Sequence, residues 1–352
     1  MATEPQNTPP ETTVSAPKRK FPLILRILSL FGMIAVAATG LGLFCDSFWI
    51  ADLAAQLRVQ YVLLLIPAFV PWGIRRSYWR IVLAAAALIL NLWPMVPYFI
   101  AKPVVANKSD FSVSDDRKTL RLLIFNVLRT NTEIETTLEE TLRAEADFVY
   151  LMEVAPIWQA KLETLKDRYP FQKLICRDDY TGVAFLSRHP WESLEIVDTD
   201  DANPPLDLQF PALSGQSTGF RLIVTHPLPP LGSDLTEARD RQLITLARRL
   251  SPNEPCLMTG DFNLTPWSSR FAKILAAGQL RDAFLGFGIQ PTLTPFPTLI
   301  GGLKVDHVLV NKAVSIHNVR IGTSRYSDHA PVLVEFEIAG GTEKYNRSKV
   351  KF

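Results

Sequence analysis

The sequence predicts an α/β domain preceded by three membrane-spanning helices. Three observations carry this expectation. Residues 21–102 hold three long apolar runs with almost no charged face to turn outward. Beyond residue 118, short apolar runs of strand length alternate with stretches of helical period. Charge divides the same way: residues 1–106 carry a net +5 and the remainder a net −3, so the near-neutral total of +2 hides two unlike segments. A slightly acidic C-terminal part is poor equipment for gripping bulk nucleic acid, although a local basic groove stays open.

Taken in order, residues 1–20 read as a disordered cytoplasmic tail, rich in Thr, Pro and Glu and closed by Lys18-Arg19-Lys20. The first apolar run, about Phe21 to Phe44, is too long for a signal-peptide core and has no clear cleavage site. The second, about Val59 to Ile74, carries Pro67 and Pro71 and is marginal in length; the third covers about Ile81 to Ala101. Lys18, Arg19, Lys20 and Arg26 flank the first run, and Arg75, Arg76 and Arg80 lie between the second and third. Both clusters belong in the cytoplasm, so three spans put everything after about residue 102 in the periplasm or cell exterior. If the second run does not span, the assignment reverses. The loop between the first two runs holds Asp46, Asp52 and only Arg58.

Residues 103–118 read as a polar linker, 119–338 as the folded domain, and 339–352 as a Gly-rich basic tail. Strands are expected over Leu120 to Val127, Phe148 to Met152, Gly182 to Leu186, Phe220 to Thr225, Cys256 to Thr259, Lys304 to Val310 and Pro331 to Ile338. Helices are expected over Glu133 to Ala146, Trp158 to Tyr169 and Leu235 to Leu250, with a loop or irregular connection over 198–218. No internal repeat is visible. Cys45, Cys176 and Cys256 lack zinc-ligand spacing, and a Cys176–Cys256 disulfide has no support in the pattern.

The chemistry sits at the strand ends. Met258-Thr259-Gly260-Asp261-Phe262-Asn263 delivers a short apolar run to a glycine free to take positive φ. In an extended segment Asp261 and Asn263 point to one side, so a carboxylate and an amide meet one small target. The same hexapeptide is also an ordinary turn. Five further strand ends present Asn126, Glu153, His226, Asp306 and Asp328-His329. Asn126 reads equally as a turn former and Glu153 as a helix cap, but a carboxylate at Asp306 inside an apolar strand is costly unless paired or ligated. Oxygen ligands from Asn126, Glu153 and Asp328 suit Mg²⁺ or Mn²⁺ rather than zinc. Two histidines with Asp261 and Asn263 can contact a phosphate and activate a water.

These pieces resemble the endonuclease/exonuclease/phosphatase (DNase I-like) family, as a membrane-anchored bacterial member. They are Phe125-Asn126, Met152-Glu153, Gly182-Val183-Ala184-Phe185-Leu186-Ser187-Arg188, Thr225-His226-Pro227, Gly260-Asp261-Phe262-Asn263, Val305-Asp306-His307-Val308-Leu309 and Ser327-Asp328-His329-Ala330-Pro331-Val332, in the family's order. The resemblance implies a four-layer α/β/β/α sandwich with two mixed β-sheets and the site at one edge. It implies Glu153 as the principal metal ligand, with Asn126 and Asp328 assisting. Asp261 would deprotonate or orient the water, and Asn263 would hold that water or the phosphate. His226 and His329 would bind phosphate oxygens, and Asp306 would pair with one of them.

The function expected is thus a membrane-tethered, Mg²⁺- or Mn²⁺-dependent phosphoester hydrolase (phosphodiesterase or phosphatase). Its partners would be a lipid, small-molecule or nucleic-acid phosphoester and the membrane, held through three N-terminal helices; no obligate protein partner is expected. The alternatives are a nuclease acting on DNA or RNA and a non-catalytic membrane protein that keeps the fold. A transport role has little support, because the spans carry no midplane charge. His307 points away from Asp306 and reads as a residue of the core or of a sheet surface rather than of the site. His189 and His317 read as loop and surface, and Arg239, Arg241 and Gln242 as partners of their own helix's acids, with a substrate-facing role open for one.

Overall fold

Leu65, Ala68, Trp72, Ala84 and Ala87 form the seam of an N-terminal helical bundle. The computed structural model describes residues 22–100, 119–199, 203–213, 216, 218–294 and 301–338. The expected tails over 1–20 and 339–352 and the linker over 103–118 fall outside these residues. The bundle comprises α1 (Leu23–Gly42), α2 (Trp49–Gln56), α3 (Arg58–Ile74), α4 (Tyr78–Leu92) and the short α5 (Pro97–Ile100). Its outer faces expose Ile24, Leu30, Phe31, Ile34, Val82 and Ile89, the reverse of a bundle built for water. Leu23–Gly42 and Tyr78–Met95 are each long and apolar enough to cross a membrane, and α2 with α3, bent by 63° at their break, pass that test only as a pair, as a broken span or a re-entrant loop.

α3 runs through both of its prolines. α4 stops at Leu92, before a 3₁₀ turn over Trp93–Met95 that contains Pro94, so the third apolar run is broken near its end. The segment read as a charged loop between the first two runs contains α2. Its buried Asp52 and Gln56 find their partners in the C-terminal domain, a signal that local sequence does not carry.

In β1 (Leu120–Asn126) and β2 (Phe148–Met152) alternate side chains enter different cores. Leu122, Ile124, Phe148, Tyr150 and Met152 pack between two sheets, while Leu123, Phe125, Val149 and Leu151 pack beneath α6 (Ile134–Leu142) and α7 (Gln159–Glu163). Burial on both faces is why these strands read as continuous apolar runs. The remaining strands are β3 (Phe171–Ile175), β4 (Val183–Ser187), β5 (Ser193–Ile196), β6 (Leu206–Phe210), β7 (Phe220–Val224), β8 (Cys256–Asp261), β9 (Arg281–Asp282), β10 (Asp306–Val310), β11 (Val314–Ile321) and β12 (Val332–Ile338). One six-stranded sheet has the order β11-β12-β1-β2-β4-β3 and the other β5-β6-β7-β8-β10-β9. Each is mixed, with one parallel pair (β1–β2 and β7–β8) among antiparallel neighbours.

The second sheet repeats the burial pattern. Leu222, Val224, Leu257 and Val308 face the inter-sheet core. Ile223, Met258 and Leu309 lie under α8 (Ser233–Arg248) and α9 (Ser269–Gly278) with Leu243, Leu246, Phe271 and Ile274. The expected four layers, α/β/β/α, are therefore present. Phe148, Phe210 and Phe220 interlock at the centre, with Phe210 4.9 Å from each of the other two rings.

β3, β5, β6, β9, β11 and α9 were not expected from the sequence. β3 and β5 are half-exposed edge strands with mixed polarity. β6 alternates Leu-Asp-Leu-Gln-Phe inside the 198–218 stretch read as loop. The helix expected over Trp158 to Tyr169 is instead a 3₁₀ turn, α7 and a second 3₁₀ turn, and the helix expected over Glu133 to Ala146 closes at Leu142, with Glu145 left-handed at φ +48°. All three cysteines are free thiols.

Candidate active site

The two parallel pairs deliver the chemistry. Asn126 ends β1 in register with Met152, and Glu153 follows in a left-handed conformation at φ +59°. His226 lies two residues past β7, and Asp261 ends β8. β10 runs antiparallel to β8 and sets Asp306 opposite Asp261. Gly260 is required here. Its φ is +142°, and a Cβ on it would stand 1.7 Å from the Thr225 carbonyl oxygen. The loop ahead of β12 is pinned twice: Leu293 bridges to His329, and the Ser327 hydroxyl donates to the Asn126 carbonyl at 2.7 Å.

All eight residues expected at the site lie at this one edge. Asn126 Nδ2 donates to Glu153 Oε1 at 2.9 Å and lies 3.3 Å from Asp261 Oδ2. His226 Nε2 and His329 Nε2 flank the same Asp261 oxygen at 3.7 and 3.5 Å. His329 Nδ1 pairs with Asp306 Oδ2 at 2.9 Å, which identifies the histidine that Asp306 serves. Asp328 is half-buried, with a buried Oδ1 that has no hydrogen-bond partner among the described residues.

Asn263 departs from the expected geometry. β8 ends at Asp261, and Asn263 is left-handed at φ +49°, so the segment is not extended through both residues. Its backbone N–H donates to Asp261 Oδ1 at 2.8 Å and its Nδ2 to the Pro227 carbonyl at 3.0 Å. The turn reading of this hexapeptide holds, and the turn lies at the edge where the other candidate residues gather.

Burial pushes the Asp261 carboxyl up and the nearby Asp306 charge pushes it further, against the opposing pull of His329 and His226. Burial also works against the Asp306 carboxylate, but the charge and hydrogen bond of His329 outweigh it and hold that group low. Burial alone would lower His329; Asp306 and Asp261 reverse this and raise it to about 10, so it is protonated at neutral pH. Glu153 is only 9 % exposed, and its oxygens are met by the Asn126 amide and the Arg129 N–H rather than by a basic side chain. Asp261, Asp306 and His329 also place ligand atoms within 4.8 Å of one another, a trio able to hold a metal.

Some residues that shape the site were not singled out in the sequence. Arg129 caps Glu153 through its N–H, and its guanidinium stacks 4.9 Å from the Tyr180 ring. Asn203 donates to the His226 carbonyl, holding that loop from a stretch read as irregular. Arg239 pairs with Asp240 of its own helix, as expected. It also pairs with Asp52 and donates to the Asn263 carbonyl, which spacing along α8 could not reveal. Arg241 pairs with Glu237 on the surface, and Gln242 holds Thr199 and the Asn203 carbonyl. His307 is fully buried on the far face, accepting from Lys304 at Nδ1 and donating to the Leu264 carbonyl from Nε2.

Two facing mixed sheets, with carboxylates, an amide and histidines at one shared edge, define a DNase I-like protein. Residues 123–329 match the Endonuclease/Exonuclease/phosphatase family, and the chain belongs to it. Among solved structures, the endonuclease/exonuclease/phosphatase from Beutenbergia cavernae is similar at 17% identity and TM-score 0.53, over 64% of this chain and 73% of that one. D. rerio TDP2 complexed with single-strand DNA product is similar at 18% identity and TM-score 0.51, over 62% of this chain and 99% of that one. The 3′ phosphatase NExo from Neisseria, bound to a product DNA hairpin, matches at 19% identity and TM-score 0.51, over 62% and 99%. These likenesses establish the fold. No curated protein matches.

Proposed function

We propose that this protein is a membrane-tethered, divalent-metal-dependent phosphoester hydrolase whose catalytic domain lies outside the cytoplasmic membrane. The observation that carries the reading is Asp261: a buried carboxylate flanked by two imidazoles, one of them cationic, and linked through Asn126 to a second carboxylate with no cationic partner. The donor set fits a hard cation. Glu153 and Asp328 would supply oxygen ligands, and one Asp328 oxygen is buried without a partner among the described residues. Asn126 turns Nδ2 toward Glu153, so it serves a cation only with its amide inverted. A Mg²⁺ or Mn²⁺ ion bound there would offset negative charge on the phosphate or the leaving oxygen.

The chain's own residues do the rest. Asp261, whose carboxyl burial and the Asp306 charge push up, takes a proton from or orients the attacking water. The Asn263 N–H fixes one Asp261 oxygen, so its other oxygen faces the histidines. His329, protonated and braced by Asp306, and His226 meet the non-bridging phosphate oxygens.

Apolar outer faces on α1 and α4 support tethering. Docking of α2 on the domain supports a shared side of the membrane for the first loop and the domain, as three spans require. The net −3 after residue 106 favours a lipid or small phosphoester over duplex DNA. The competing reading is a nuclease, favoured by the DNA held in two similar structures.

The test is a panel of DNA, RNA, lipid and small phosphoesters offered to the full chain in detergent, with Mg²⁺ or Mn²⁺ and with chelator. Metal-dependent cleavage that Asp261→Asn abolishes is expected. A wild-type protein that cleaves nothing, or no better than that variant, removes the reading. DNA cleavage that falls steeply with salt selects the nuclease; dependence on vesicle presentation selects a lipid substrate. A reporter fused to the C-terminus reads the topology, with signal outside the cytoplasm expected.

A further inference from the structure

Asp52 lies in the N-terminal helical region, yet its side chain is fully buried against the C-terminal domain. Arg239, equally buried, donates from Nη2 to Asp52 Oδ2 at 3.0 Å and from Nη1 to the Asn263 carbonyl at 2.9 Å. Its Nε and Nη2 are shared with Asp240 at 3.0 and 2.8 Å. Asp52 Oδ1 accepts from the Ser268 hydroxyl at 2.6 Å and faces Arg270 Nε at 3.5 Å. One turn on, Gln56 Oε1 accepts from the Thr265 N–H at 3.3 Å. α2 therefore holds the 263–268 segment directly at Thr265 and Ser268, and at Asn263 through Arg239.

That segment leaves the candidate active site directly. Asn263 is the left-handed residue whose N–H holds Asp261 Oδ1 and whose amide holds Pro227, next to His226. Left-handed backbone is uncommon outside glycine, although asparagine takes it more readily than most residues, and it persists where surrounding contacts hold it. Arg239 supplies one of those contacts, and Arg239 is itself held by Asp52. The buried group balances: Asp52 and Asp240 against Arg239 and Arg270. Removing one carboxylate leaves a buried excess of positive charge, which the guanidinium relieves by turning away from its partners.

We infer that Asp52 is a positioning residue for the catalytic centre. Through Arg239 it holds the Asn263 turn, and with it Asp261 and the His226 loop, so α2 belongs to the active unit and not only to an anchor. The inference rests on the hydrolase reading above for its effect on turnover, but not for its effect on the turn. A role confined to overall stability would lower the amount of folded protein and leave the turnover of the folded fraction intact.

The test uses the full chain in detergent, comparing wild type with Asp52→Asn by hydrogen exchange and by kinetics on bis(p-nitrophenyl) phosphate with Mn²⁺. Exchange across residues 262–268 is expected to quicken about tenfold while β1 and β12 keep wild-type protection. On the same protein, kcat is expected to fall about tenfold with KM within about twofold. Unchanged exchange at 262–268 overturns the inference, as does an unchanged kcat in a protein whose turn has loosened. If β1 and β12 also lose protection, Gln56→Ala, which removes the Thr265 N–H bond and the Gln56 Nε2 bond to Asp52 Oδ2 but leaves the Asp52–Arg239 pair in place, is judged by the same two outcomes. A wild type that cleaves no phosphoester defeats the hydrolase reading alone, and the exchange result then decides whether Asp52 holds the turn.

Discussion

β1–β2 and β7–β8 are each a parallel pair among antiparallel strands in a six-stranded sheet, and each pair is joined by a crossover whose helix, α6 or α8, covers the outer face. Each ends near a left-handed residue, Glu153 in one and Asn263 in the other. Their chemistry differs. The first pair ends in a buried carboxylate met only by amide N–H groups. The second ends in a carboxylate flanked by two imidazoles, with a further carboxylate bracing one of them. Two similar frames thus separate two tasks. On the hydrolase reading proposed above, the first half would offer its carboxylate to a cation and the second would offer a base and a cationic imidazole to a phosphate.

Four experiments press on that division, from the largest effect to the smallest. Asp261→Asn keeps the shape of the second half but removes its base. Turnover of a cleavable phosphoester is expected to fall about 10³-fold, within the range for losing a general base, with metal affinity by titration nearly unchanged. A loss of less than about tenfold would move the base elsewhere. Phe210→Ala attacks the layer that holds the halves together, where Phe210 is fully buried against Phe148 and Phe220. Chemical denaturation is expected to show about 3–5 kcal/mol of lost stability.

Glu153→Gln addresses the first half. Activity is expected to drop about 10²-fold, with part of the loss recovered at higher Mg²⁺ or Mn²⁺, because the neutral amide weakens a ligand without emptying the site. A loss that no metal concentration relieves would show that Glu153 is not a ligand. The last experiment tests the charge on His329 with chelator present. Its folded value, about 10, lies above the ordinary 6.5. Its pairing therefore stabilises the fold fully below pH 6.5 and is lost as pH rises through about 10. The wild-type melting temperature should fall over that interval more than that of His329→Gln; parallel curves would show that the imidazole is neutral in the fold.

Much of the candidate site was legible because its polar residues lie where strands end. Asn126, Glu153, His226, Asp261, Asp306 and His329 each follow or open an apolar run, and a polar residue there is visible against its neighbours. The edge strands were not legible, since β3 and β5 are half-exposed and keep no clean alternation. The twofold plan of the sheets was also hidden: packing preserves strand order and burial, not residue identity.

By itself the sequence determined the α/β alternation, the apolar helices and the inventory of carboxylates, amides and imidazoles, because periodicity and residue chemistry are local properties. Only the tertiary structure decided that Asp306 serves His329, that Asn263 turns rather than extends, and that Asp52 reaches Arg239 across 187 positions. Those are pairings between distant segments, set by which surfaces bury each other, and no local pattern of residues encodes them.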